Sequence, residues 1–129
     1  MTKLLLLLFI VLSQSLLYAS TCPDLKGRYY CQFNSKKTAV LRVNQWMIEN
    51  NPKVMNYTFT YRATGDGAEI IQASENGIPD SQGWTNYCLS NRLVSVLYDS
   101  TIRSDFFREN NHLVRTENGT KMMDCISLD

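Results

Sequence analysis

Beyond the first two dozen residues the chain alternates in short runs. From Met55 to Ala63 the residues Met55, Tyr57, Phe59, Tyr61 and Ala63 interleave with Asn56, Thr58, Thr60 and Arg62, the period-two pattern of a strand with one buried face. From Thr38 to Ile48 the set Ala39, Leu41, Val43 and Met47 alternates with Thr38, Arg42 and Asn44, although Val40, Trp46 and Ile48 break the polar side. Further strands are predicted over Gly27 to Phe33, Ala68 to Ala73, Arg92 to Tyr98, Ile102 to Arg108, His112 to Thr116 and Lys121 to Ile126, with a short one near Thr85 to Leu89. β-Branched and aromatic residues dominate most of them.

Turn signals fall between the runs: Asn50-Asn51-Pro52, Gly65-Asp66-Gly67, Asn76-Gly77, Asp99-Ser100, Asn110-Asn111 and Asn118-Gly119. Asn and Gly accept the positive φ that tight hairpins require. No helix longer than a turn or two and no internal repeat is visible. About eight consecutive strands joined by short turns predict an all-β, single-domain antiparallel up-and-down meander. Closing it into a barrel removes its exposed edges; a β-sandwich is the alternative. The segment from Ser74 to Thr85 breaks the rhythm and carries Trp84, so it is read as a loop at the barrel mouth.

The amino terminus follows another logic. Lys3, the apolar run Leu4 to Leu12 and the small residues Ala19 and Ser20 read as a secretory signal peptide over residues 1–19. The apolar run is too short to span a bilayer. Residues 20–129 then form one β-barrel domain, secreted or periplasmic and expected to be a monomer. Ala19-Ser20-Thr21 precedes Cys22, and threonine does not suit the lipobox position, so a lipid anchor is not expected. Without Lys3 the basic and acidic residues balance at twelve each. That balance argues against a nucleic-acid partner or a polybasic membrane contact.

Four cysteines in an exported chain predict two disulfides, with three pairings open. Cys31 with Cys125 is preferred, because closing the sheet brings the strands at the two ends of the chain together. Cys22 then pairs with Cys88. A metal site is not expected: His112 is the only histidine and no Cys-x-x-Cys occurs. No cofactor is implied.

Residues able to carry chemistry are few. His112 follows Asn110-Asn111 and reads as a solvated turn residue, and no Gly-x-Ser-x-Gly elbow accompanies it. The neighbouring carboxylates Asp66 and Glu69, Glu75 and Asp80, and Asp105 and Glu109 all lie at turns, where acidic residues solvate loops. No catalytic residue is assigned. Arginines are spread along the strands at positions 28, 42, 62, 92, 103, 108 and 115, mainly to keep the outer wall soluble. An inward arginine would clamp an anionic ligand, and Arg62, after the aromatic strand, is the candidate. Trp84 and Trp46 fall outside clean apolar faces and are the candidate stacking residues. Asn56-Tyr57-Thr58 and Asn118-Gly119-Thr120 match the glycosylation acceptor pattern.

Gly27-Arg28-Tyr29, opening the first strand, resembles the Gly-x-Trp/Tyr start of lipocalins and other calycins. The resemblance implies that Tyr29 plugs the closed end of a barrel, that Arg115 or Lys121 packs on it, and that the barrel holds a ligand. Thr85-Asn86-Tyr87 is similar to the family's Thr-Asp-Tyr motif with Asn in place of Asp, and no helical pattern follows the last strand. Tyr29-Tyr30-Cys31 together with Cys125 is also similar to small periplasmic lysozyme inhibitors, without their Ser-Gly-x-x-Tyr loop. The leading expectation is a non-enzymatic binding protein for a small apolar or carbohydrate ligand. A protein-interaction or enzyme-inhibitor module acting through its loops is the alternative, and a small hydrolase the third.

Overall fold

The computed structural model describes residues 22–49, 53–63 and 67–129. The proposed signal peptide and the turns around Asn50-Asn51-Pro52 and Gly65-Asp66 lie outside the described residues. Nine strands follow one another: β1 (Gly27–Phe33), β2 (Thr38–Ile48), β3 (Val54–Arg62), β4 (Ala68–Ser74), β5 (Trp84–Leu89), β6 (Arg92–Leu97), β7 (Arg103–Glu109), β8 (His112–Glu117) and β9 (Thr120–Ser127). These are the nine runs that alternation picks out, with ends shifted by a residue or so. Every neighbouring pair is antiparallel.

The sheet order β4-β3-β2-β1-β9-β8-β7-β6-β5 makes a nearly closed barrel. The first and last strands pair, through Tyr29 to Phe33 against Met123 to Ser127. The opening therefore lies mid-chain, between β4 and β5, not where the chain ends meet.

The hairpins use the expected chemistry. Asn118 (φ 48°) and Gly119 (φ 84°) both adopt positive φ between β8 and β9, matching the right-handed twist of the flanking strands. Ser90 and Asn91 do the same between β5 and β6, at φ 51° and 61°.

Inward positions pack one core: Tyr29 and Cys31 of β1, Leu41 and Val43 of β2, Tyr57 and Phe59 of β3, Leu93 of β6, Leu113 of β8, and Met123 and Cys125 of β9. Cys31 and Cys125 are register partners, and their disulfide spans Cα atoms 3.9 Å apart. The second bridge joins Cys22 to Cys88. Both pairings agree with the expectation from strand placement.

One end of the barrel is plugged by the lead-in that Cys22 ties down. Pro23 and Leu25 are fully buried beneath the sheet. The Tyr57 hydroxyl donates to the Pro23 carbonyl (2.7 Å), and the Tyr29 hydroxyl donates to the Leu25 carbonyl (2.8 Å). Gln45 completes the plug, its Nε2 donating to the Pro23 carbonyl (3.2 Å) and its Oε1 accepting from the Leu25 amide (2.9 Å). Tyr29 thus sits at the closed end. The cation over its ring is Arg108, at 5.9 Å. Arg115 lies over Phe106 instead, and Lys121 pairs with Asp124; the packing role implied for those two falls to a β7 residue.

The outer wall holds an ion-pair cluster. Asp105, only 7% exposed, accepts from Arg103 Nε (2.8 Å) and from Arg92 (3.4 Å), while the Arg92 guanidinium stacks 4.0 Å above the Phe107 ring. His112 Nδ1 meets Asp124 at 2.6 Å on the same outer face.

Candidate cavity at the open end

The end opposite the plug is not filled. The inward residues of β1 to β4 that line it are Phe33, Ala39, Phe59, Tyr61, Glu69, Ile71 and Ala73, apolar apart from Glu69 and the Tyr61 hydroxyl, and they bound a cavity of about 990 Å³. Across it, β5 to β8 contribute Trp84, Asn86, Ser95, Ser104, Phe106 and Arg115. One wall is aromatic and aliphatic; the other carries a polar row.

That row follows from register. Asn86 lies opposite Ser95, and Ser95 opposite Ser104, so period-two alternation turns all three inward at one level. The Ser95 hydroxyl donates to Asn86 Oδ1. Ser104 is 3% exposed, and its Oγ has no hydrogen-bond partner among the described residues. A buried hydroxyl without a partner costs about 1–3 kcal/mol.

Arg115 reaches the cavity from β8, opposite Phe106 of β7. Its guanidinium lies 5.9 Å from the Phe106 ring centroid, and Phe106 packs on Phe59 with centroids 4.8 Å apart. No carboxylate forms an ion pair with Arg115 among the described residues. The pKa of Tyr61 is pushed up to about 12, chiefly by burial; the nearby Arg115 charge opposes the rise and Glu69 adds to it. Tyr61 is therefore a neutral donor at physiological pH.

A tight turn positions Trp84. Asp80 Oδ1 accepts from the amides of Gln82 and Trp84 (2.9 Å each), and the Asp80 amide donates to the Trp84 carbonyl (2.8 Å). The Tyr98 amide ties Gly83 down at 2.7 Å. Gly83, at φ 88°, takes the left-handed turn that brings the chain into β5. The irregular stretch before β5 thus presents Trp84 half-buried at the cavity wall.

The other candidates do not line the cavity itself, although the cleft beside Trp46 adjoins it through Ala73, Asp80 and Asn86. Trp46 is 47% exposed beside a smaller cleft of about 230 Å³ that it shares with Asn56, Ile78 and Pro79. Arg62 is exposed and points away from the cavity, because the alternation that turns Tyr61 inward turns its neighbour outward. Arg115 is the arginine that lines the cavity. Three of the carboxylates read as loop-solvating have structural partners: Glu75 accepts from the Met55 amide (3.0 Å), Asp80 closes its turn, and Asp105 holds two arginines, while Glu69 and Glu109 are exposed. Asp66 lies outside the described residues. Asn56 is 9% exposed, whereas Asn118 sits in an exposed turn, its Oδ1 accepting from the Arg103 amide; only the latter acceptor site is open in the folded chain.

Among the described residues, one group of possible metal ligands converges, Cys22, Glu75 and Cys88, and its two cysteines are joined as a disulfide. No described helix is long and apolar enough to cross a membrane. Comparison with protein-family models, with curated proteins and with solved structures returns no match.

Proposed function

We propose that this chain is an exported, non-enzymatic binding protein that holds a small ligand in the open end of a disulfide-closed β-barrel. The observation that carries the reading is the cavity of about 990 Å³ between an aromatic wall and a polar row. Small-ligand sites of roughly 300–1,000 Å³ combine apolar lining with a few placed polar groups in this way. A barrel filled throughout by its own side chains would leave no such room. Two disulfides suit an oxidising compartment outside the cytoplasm. The division into plugged end and open mouth is also what the calycin resemblance implies, and supports it at the level of architecture.

The test uses Nile red, a neutral dye whose emission rises in apolar surroundings. Saturable binding at one site, weakened severalfold by Trp84→Ala and unaffected by Trp46→Ala, is expected. Absence of saturable binding at micromolar dye would overturn the reading.

One observation favours a second reading, a protein-interaction module. The β2–β3 hairpin exposes Trp46 and Ile48 on one face, at 47% and 42%, with Met47 at 40% on the other. Removing all three apolar side chains would then abolish a protein contact without affecting the dye.

A further inference from the structure

The polar groups of the cavity are unevenly matched. Arg115, the Tyr61 hydroxyl and the Asn86 amide nitrogen line it, and no hydrogen-bond acceptor among the described residues engages them. The Ser104 hydroxyl in the same wall also lacks a partner. Of the two carboxylates at the rim, Asp80 is engaged by backbone amides of its own turn. Glu69 faces the cavity side of β4 opposite Tyr61 but is solvent-exposed on that edge strand. The interior thus offers donors and a single inner positive charge, and a complementary ligand supplies an acceptor-rich anionic head.

The body of that ligand is set by the walls. Phe59 and Phe106 pack together, Tyr61 and Phe33 stand 6.2 Å apart between ring centroids, and Trp84 closes the side next to the seam. Flat rings match such surfaces in offset or edge-on contact. The head is limited to a single charge for an electrostatic reason. Arg115 is the one cation lining the cavity that is not fully exposed, so a second negative charge would find no matching partner there and would add to the charge of Glu69, which stands opposite Tyr61 in the β3–β4 register. Lys37, the other cation at the cavity, is exposed on the β1–β2 turn, where solvent screens it.

Resting on the small-ligand reading above, we propose that the cavity takes an aryl monocarboxylate, with its ring against Phe106 and Trp84 and its carboxylate on the Arg115 guanidinium. Tyr61 and Ser104 stand in the same walls as neutral donors to the head. The binding is a non-covalent association in which a charged group is desolvated only where a guanidinium replaces its water.

The test titrates the full disulfide-bonded protein with 2-naphthoate and with 2-naphthamide, which share the ring and differ in charge, by isothermal calorimetry, with Nile red as a neutral control. A preference for naphthoate of about tenfold or more is expected from a charge-assisted contact. Arg115→Gln should bring the two ligands within about twofold of each other while leaving Nile red in place. The wild-type ratio needs no variant and so does not depend on Arg115→Gln folding. Equal affinity for the two naphthyl compounds, a preference that survives Arg115→Gln, or Nile red binding without naphthoate would each overturn the aryl carboxylate and leave the small-ligand reading standing. Loss of every probe, the dye included, would overturn both.

Discussion

Tyr57 and Pro23 lie 34 positions apart in sequence and meet at 2.7 Å, where the tyrosine hydroxyl donates to the proline carbonyl inside the plugged end of the barrel. The contact joins the middle of β3 to a segment outside the sheet. Burial raises the Tyr57 pKa, helped by the charges of Glu75 and Asp24, so the donor keeps its proton well into alkaline solution. Tyr57→Phe removes that donor, but Gln45 Nε2 still reaches the same carbonyl. The expected loss is therefore near the lower end for a buried hydrogen bond, about 1 kcal/mol, read as a lower urea midpoint at unchanged slope. Nile red binding at the opposite end should be unaltered. A loss above about 3 kcal/mol would mean that Tyr57 supports more of the plug than this bond.

The two disulfides should differ in what their removal exposes. Sequence separations of 66 and 94 residues each correspond to about 4–5 kcal/mol in the chain-entropy account, comparable to the net stability of a small domain, about 5–15 kcal/mol. Cys22→Ala with Cys88→Ala releases the lead-in, so hydrogen exchange should accelerate first at the Leu25 amide, which Gln45 Oε1 holds from outside the sheet ladder. Cys31→Ala with Cys125→Ala leaves β1 and β9 still paired through their backbones, and exchange there should follow global unfolding. If the first double variant protects the plug as well as the parent does, the disulfide is not what secures it.

Acid should weaken the outer wall through Asp105. Partial burial alone would raise its pKa, but hydrogen bonds and charge from Arg103 and then Arg92 outweigh this and hold it below the ordinary carboxylate value. A carboxyl whose folded pKa is depressed contributes stability that is complete above its unfolded pKa, about 3.9, and is lost as pH falls toward the folded value. Asp124 is shifted in the same direction, first by its hydrogen bond to His112. Asp105→Asn should cost about 1–3 kcal/mol near pH 7, since the two arginines it leaves are themselves partly solvated. It should also flatten the stability profile between about pH 5 and pH 2. Urea midpoints across that range check both; an equally steep acid limb in the variant would assign the effect to other carboxylates.

The two tryptophans provide a site-specific readout. Trp84 lines the cavity and Trp46 does not, so ligand binding should change the fluorescence of Trp46→Phe protein and leave that of Trp84→Phe protein nearly constant. Trp84 keeps part of its surface exposed, and Trp84→Ala should lower stability by about 1–3 kcal/mol. A larger loss would make it a core residue.

Most strands were legible because period-two alternation and Asn/Gly turns are local properties. Asn118-Gly119 announces its hairpin without reference to anything distant. Arg62 shows a signal that was present and outweighed: the same alternation that turns Tyr57, Phe59 and Tyr61 inward assigns Arg62 to the outside. Arg115 was harder to place. In β8 both Leu113 and Val114 are buried, on opposite faces, and a register shift at Arg115/Thr116 interrupts the pairing with β9, so parity read along the chain does not say which face is inside. The partner of Tyr29 was missed for a related reason: Arg108 reaches that ring from β7, and nothing in either segment encodes their proximity.

By itself the sequence determined an all-β chain of short alternating strands, because strand periodicity and turn propensity act over a few residues. Only the tertiary structure decided where the barrel stays open, which polar residues form one row, and which arginine faces the cavity. Those outcomes depend on register between strands, as in Asn86, Ser95 and Ser104. A one-residue slip in any pair would exchange inside for outside along the whole strand.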